Sequence, residues 1–179
     1  MTINEAFQLA QIFSIFILIF SVLYAAKQLK LTYLIHADNH DWNRRKAAQD
    51  LTMQINELFS DMAALHKKLN IINRVEPIPI SEIKEEINND PSVQLSINKV
   101  LNIYDGVARG VLSGIYDRSI IETARKSTMI KTYDAFSSYI YDRRKKRIPT
   151  LWNDYESIIN QWKSEITKQD PRKKTGLSK

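Results

Sequence analysis

No charged residue occurs between Glu5 and Lys27, and the stretch Ala6 to Ala26 (AFQLAQIFSIFILIFSVLYAA) is dominated by Ile, Leu, Phe and Val. As a helix rising about 1.5 Å per residue, these 21 residues reach about 30 Å, the hydrocarbon thickness of a bilayer. Lipid offers no partner to backbone N–H and C=O groups, so a lone spanning segment must pair them internally, as a helix does. A secretory leader would start with basic residues and end at a small-residue cleavage site, whereas Met1-Thr-Ile-Asn-Glu5 has no Lys or Arg. The expectation is a retained transmembrane helix over 6–26 rather than a cleaved leader or a buried core helix. Lys27 and Lys30, and beyond them Arg44, Arg45 and Lys46, follow the segment, while only Glu5 flanks its start. The positive-inside rule then puts a short N-terminus, residues 1–5, outside the cell and everything after Lys27 in the cytosol, in a single pass through the cell membrane.

At about 100° per residue, Asn4, Gln8, Gln11, Ser14, Ser21, Ala25 and Gln28 fall on about half of this helix, opposite a Phe/Ile/Leu face. Two readings stand. Gln8, Gln11, Ser14 and Ser21 mark a face through which membrane helices associate, or the outer residues sit among headgroups and the inner ones are tolerated singletons. Interhelical hydrogen bonds of this kind average only about 0.6 kcal/mol.

The rest of the chain also reads as helix. Four glycines and five prolines in 179 residues leave little material for hairpin turns, and no strand-length run alternates β-branched with polar residues. With no cysteine, disulfides, thiolate metal sites and thiol nucleophiles are excluded. Residues 27–46 extend as a juxtamembrane helix, with Tyr33 and Trp42 suited to the interface. From Ala48 a coiled-coil-like heptad stripe follows, Ala48, Ile55, Met62 and Leu69 alternating with Leu51, Leu58 and Leu65. So narrow a seam joins two helices, either within this chain or between two copies. Pro77-Ile-Pro79 ends that helix, Ser81 is placed to cap a short one, and Asp90-Pro91 to open the next. This next helix carries too many apolar residues between Val93 and Leu112 for a single face, which predicts the centre of a bundle. Gly106, Gly110 and Gly114 along it imply close approach by a neighbour or, at Gly114, termination. Asp117 or Ser119 begins a helix to about Arg147, with capping-box spacing between Ser119 and Glu122. Pro149 opens a last helix bearing Leu151, Trp152, Tyr155, Ile158, Ile159, Trp162 and Ile166. The expected fold is all-α: a single N-terminal transmembrane helix continuing into a long juxtamembrane helix, a cytosolic helical bundle of about four helices over 47–166, and a basic tail over 167–179.

The membrane helix, Trp42-Asn-Arg-Arg-Lys-Ala-Ala48, the segment Leu101-Asn-Ile-Tyr-Asp-Gly-Val-Ala-Arg-Gly-Val-Leu-Ser-Gly-Ile-Tyr-Asp117 and a closing helix with Trp152, Tyr155 and Trp162 together resemble the mainly bacterial family described as domain of unknown function 4760. The resemblance covers nearly the whole chain and implies a membrane-anchored helical domain. It implies no reaction, cofactor or catalytic residue, and the family's usual Glu is replaced here by Asp105.

The net charge of +6 is local. Arg143, Arg144, Lys145, Lys146 and Arg147 are five cations in a row, residues 163–179 hold six cations against two acids, and the remainder is net −3. The run either satisfies carbonyls at a helix C-terminus or lies against anionic lipid, an attraction of about 1 kcal/mol per cation. The bilayer, with its anionic inner leaflet, is the first partner implied, and a second copy or another membrane protein the next. Nucleic acid is the least supported, since no reading motif accompanies the cations.

Little catalytic chemistry is legible. His36 and His40 lie four apart near Asp38 and Asp41, but without the intervening glutamate of a zinc protease they read as a solvated helix face, and no metal or cofactor is implied. Neither a Gly-x-Ser-x-Gly elbow nor a phosphate-binding glycine loop occurs. Asp105, Arg109, Tyr116 and Asp117 gather polar groups among apolar ones, either as a polar pocket or as helix caps with an ion pair. The leading expectation is a non-enzymatic single-pass membrane protein whose cytosolic domain acts in protein interaction, sensing or scaffolding. The alternatives are a membrane-perturbing effector, for example of bacterial defence, acting through helix association, and an enzyme with a pocket near Asp105.

Overall fold

A chain this poor in glycine and proline has little to interrupt helices. The computed structural model describes residues 3–56, 59–71, 74–146 and 148–169, with the backbone alone at 5, 6, 9, 10, 12 and 59. Among the described residues are six helices and no strand: α1 (Ile3–Ile55), α2 (Phe59–Leu69), α3 (Ile80–Asn89), α4 (Ser92–Leu112), α5 (Arg118–Lys146) and α6 (Asn153–Gln169). Leu58 of the heptad stripe, Arg147 of the basic run, residues 1–2 and residues 170–179 of the tail lie outside the described residues. The chain divides into two units, Met1–Asn43 and Arg44–Lys179.

In the first unit, every described side chain of α1 up to Asn43 is exposed, Phe13, Phe16, Phe20, Leu23 and Trp42 among them. The helix is long and apolar enough to cross a membrane. Ser21 Oγ donates to the Ile17 carbonyl at 2.7 Å, so one hydroxyl of the polar face is satisfied within its own helix.

In the second unit, α2, α4, α5 and α6 pack with the end of α1 around a single core, and the short α3 lies alongside. Ala48, Ile55, Met62, Leu65 and Leu69 are buried and Leu51 is half-buried, all within this chain's own core. The described seam is therefore intrachain. Its described residues lie on the last turns of α1, which ends at Ile55, and on α2, which begins at Phe59. Arg125 Nη2 donates to the Thr52 carbonyl at 2.9 Å and to Asn56 Oδ1 at 2.5 Å, supplying a partner to a last-turn carbonyl from another helix.

Each connection has a local cause. Asn70, at φ 47, ends α2 by returning its N–H to the His66 carbonyl at 2.9 Å, the left-handed termination in which Asn can replace Gly. Ile78, fully buried between Pro77 and Pro79, donates its N–H to the Ala135 carbonyl at 3.0 Å and accepts from Ser138 Oγ, which fastens this link to α5. α3 starts directly after Pro79, so Ser81 lies inside the first turn instead of capping it. Asp90 does act at the start of α4, its Oδ1 accepting the Ser92 N–H at 2.9 Å. Lys68 beside it, and then Ser92, hold its carboxyl down to about 2. α4 is the central helix, burying Val93, Ile97, Val100, Leu101, Tyr104, Val107, Ala108 and Val111 while Leu95 stays exposed.

The later turns correct three expectations. Asp117 caps α5 through the Ser119 N–H at 2.9 Å, and Glu122 completes no capping box because it accepts from Arg118 Nε and Trp162 Nε1 instead. The last helix begins at Asn153 and not at Pro149, since Trp152 sits at φ 57, outside the right-handed helical region. It continues to Gln169, so 167–169 belong to the helix. At the end of α4, Gly114 takes φ +73 and the N–H groups of Ile115 and Tyr116 return to the Gly110 carbonyl at 2.9 and 3.1 Å. This turn lays the Tyr116 ring against the Gly110 Cα. The close approach at Gly110 thus comes from the turn that follows its own helix, and Gly106 faces open space.

Gly110→Ala should lower the unfolding free energy by about 1–3 kcal/mol through overpacking against the ring. In a Tyr116→Ala background the same change should become stabilising by up to about 1 kcal/mol, because helix propensity alone then acts. Urea denaturation of the four proteins of this cycle measures both signs.

Candidate functional site

The polar segment singled out in the sequence forms a ladder along α4. Asn98, Asn102, Asp105 and Arg109, at steps of four, three and four, share one helix face, and each meets a partner from α5, from the turn before α6 or from the first turn of α6. The Tyr139 hydroxyl donates to Asn98 Oδ1 at 3.0 Å and Trp152 Nε1 to Asn102 Oδ1 at 2.8 Å. The Tyr155 N–H donates to Asp105 Oδ1 at 3.0 Å. Arg109 closes the ladder, with Nη2 on Asp105 Oδ2 at 2.9 Å and Nε on Asp154 Oδ2 at 2.8 Å.

Tyr155 is the third residue of α6, so its N–H is one of the groups a helix start leaves unpaired, and Asp105 caps it from a different helix. The carboxylate also sits where the helix dipole favours negative charge. Tyr116 lies on Gly110, and Asp117 caps α5 with Arg45 3.6 Å away. The four residues are thus divided between two structural tasks: Asp105 and Arg109 dock α6, and Tyr116 and Asp117 form the turn into α5.

The basic run is largely engaged. Arg144 Nε donates to the Leu151 carbonyl at 2.7 Å and Nη1 to Glu156 at 2.6 Å, tying the end of α5 to α6. The Arg143 guanidinium lies 5.8 Å from the centre of the Tyr139 ring, and Lys146 pairs with Asp142 at 3.0 Å. Lys145 is exposed. On the first unit, Gln8, Gln11, Ser14 and Ser21 are all exposed.

Sequence reasoning missed one site. A cavity of about 190 Å³ opens between α2 and α5, walled by Met62, His66 and Ile71 on one side and by Ser127, Thr128, Lys131 and Thr132 on the other. His66 Nδ1 is buried without a hydrogen-bond partner. Burial pushes the imidazole below its ordinary value. The available signal was the hydroxyl-rich run Lys126-Ser-Thr-Met-Ile-Lys-Thr132, whose members 127, 128, 131 and 132 reach the cavity while Met129 is buried in the core. Among the described residues no three His, Asp or Glu side chains gather closely enough to hold a metal ion.

A family model described as domain of unknown function (DUF4760) matches residues 9–162. No curated protein and no solved structure matches the chain.

Two predictions follow from these contacts. Asp105→Ala should cost about 0.5–2 kcal/mol, in the range of lost helix caps, while Asp105→Asn, which keeps an acceptor for the Tyr155 N–H, should cost less; equal losses in urea denaturation would contradict the capping role. For His66 the folded-state pKa is depressed, so as pH falls below about 6.5 the unfolded chain takes up the proton first. The stability tied to the neutral ring is complete above that pH and lost as pH falls through the depressed value. The denaturation midpoint should therefore decline from neutral to mildly acidic pH, and His66→Gln should flatten that decline.

Proposed function

The chain belongs to the family described as domain of unknown function (DUF4760), and on that premise we propose that it is a non-enzymatic, single-pass membrane protein whose helical domain works in the cytosol in protein interaction, sensing or scaffolding. The observation that carries the proposal is the first unit, where an uncharged run of 21 residues lies in a helix whose described apolar side chains are exposed. Soluble monomers rarely leave contiguous apolar patches of more than a few hundred Å² open to water. Lys27 and Lys30 behind the span, against Glu5 before it, favour an N-terminus outside and a cytosolic domain. The non-enzymatic part rests on the use of Asp105, Arg109 and Asp117 as caps and helix ties, which leaves the polar residues that the sequence singled out as a pocket engaged in structure.

Tagged at both ends and expressed in a bacterial host, the full chain should stay in the membrane through alkaline carbonate washing. Protease added to spheroplasts should remove the N-terminal tag and spare the C-terminal one. Release by carbonate would refute the anchor, and loss of the C-terminal tag would refute the orientation. In-cell cross-linking should trap the domain with a second copy or with another protein, and a monomer without cross-links would count against the interaction role.

A further inference from the structure

The walls of the cavity between α2 and α5 differ in chemistry. Among the described residues Lys131, exposed at the rim, pairs with no acid, and Ser127, Thr128 and Thr132 make no side-chain hydrogen bond. Several other helical hydroxyls of the second unit, at Thr52, Ser113, Thr123 and Thr167, are taken up by the carbonyl four residues earlier. Among the described residues no Asp or Glu lines the cavity. Met62 and Ile71 supply an apolar wall. We propose that this cavity binds a small organic carboxylate, with the Lys131 ammonium and the hydroxyls of Ser127, Thr128 and Thr132 receiving the carboxylate and Met62 and Ile71 covering its alkyl group.

Size and charge fit that class. At about 30 Å³ per water, the volume corresponds to about six waters, the scale of a short branched acid. Because burial favours the neutral His66 ring, Lys131 brings the full positive charge of the lining, which suits a monoanion better than a phosphate dianion. The site lies wholly between residues 62 and 132 of the second unit, so it stands independently of the membrane reading.

The test uses the full chain in lipid nanodiscs, with empty nanodiscs as the blank, titrated calorimetrically with isovalerate, isovaleramide and inorganic phosphate. Isovalerate should bind saturably, with the neutral amide and phosphate each at least about tenfold weaker. Lys131→Ala, at an exposed position, should weaken isovalerate about tenfold with an unchanged circular dichroism spectrum, and the isosteric Thr132→Val should weaken it as well. Absence of saturable isovalerate binding, an amide that binds as well as the acid, a preference for phosphate, or an affinity unaltered by Lys131→Ala would each overturn the proposal.

Discussion

The first turn of α6 meets α4 where Asp105 accepts the Tyr155 N–H at 3.0 Å. Much of the second unit is placed by this contact. A helix start whose N–H groups leave water needs a partner there, and an acceptor fixed on another helix leaves little freedom in how the two helices meet. With Tyr155 anchored, its fully buried ring lies 5.6 Å from Tyr104 and 5.3 Å edge-on from Tyr133, and its hydroxyl donates to the Met129 carbonyl at 2.6 Å. One residue thus links α4, α5 and α6. Trp152 takes a left-handed conformation one step before the helix, a cost of about 1–3 kcal/mol. Its hydrogen bond to Asn102 and its ring stacked 6.2 Å from Tyr139 hold it in place.

The same geometry changes the meaning of the charge pattern. Five adjacent cations read from the sequence as an electrostatic feature of the surface, but along a helix successive residues point in different directions. Arg143 meets an aromatic ring, Arg144 crosses to the Leu151 carbonyl and Glu156, and Lys146 returns to Asp142. The side chain of Arg144 is only 13% exposed, so its loss would uncover a carbonyl and a carboxylate inside the fold. A run of like charges can therefore be mostly intramolecular, and a cation held this way has little left to offer a lipid surface.

What was legible in the sequence was whatever depends on spacing along one helix. The burial of the described heptad positions, the apolar excess of α4, the Asp90 start and the Gly114 stop all follow from local periodicity or backbone preference, and the structure has them. Long-range contacts were not legible. The Thr52 carbonyl in the last turn of α1 is met by Arg125, far away in sequence, and the partner of Asp105 is an amide 50 residues on. The Pro149 signal misplaced a helix start because a packed Trp152 overrode it. The cavity escaped notice because its two walls come from helices separated by more than 50 positions, and neither wall alone carries a motif.

The residues of α1 meet two kinds of surroundings. From Ala48 on, the helix has a buried side that packs on the core, and a stripe of modest width suffices because water covers the rest. Before Asn43 its described apolar residues lie on every side and none is buried. At about 25 cal/mol per Å² of apolar surface, removing such a segment from water is strongly favourable, and the bundle's core does not do it. A single partner helix would cover one side only, whereas the run from Ile15 to Phe20 puts apolar side chains all round the helix axis. This asymmetry within one helix is what makes its first part a candidate membrane span, while its last turns pack on the core of the second unit.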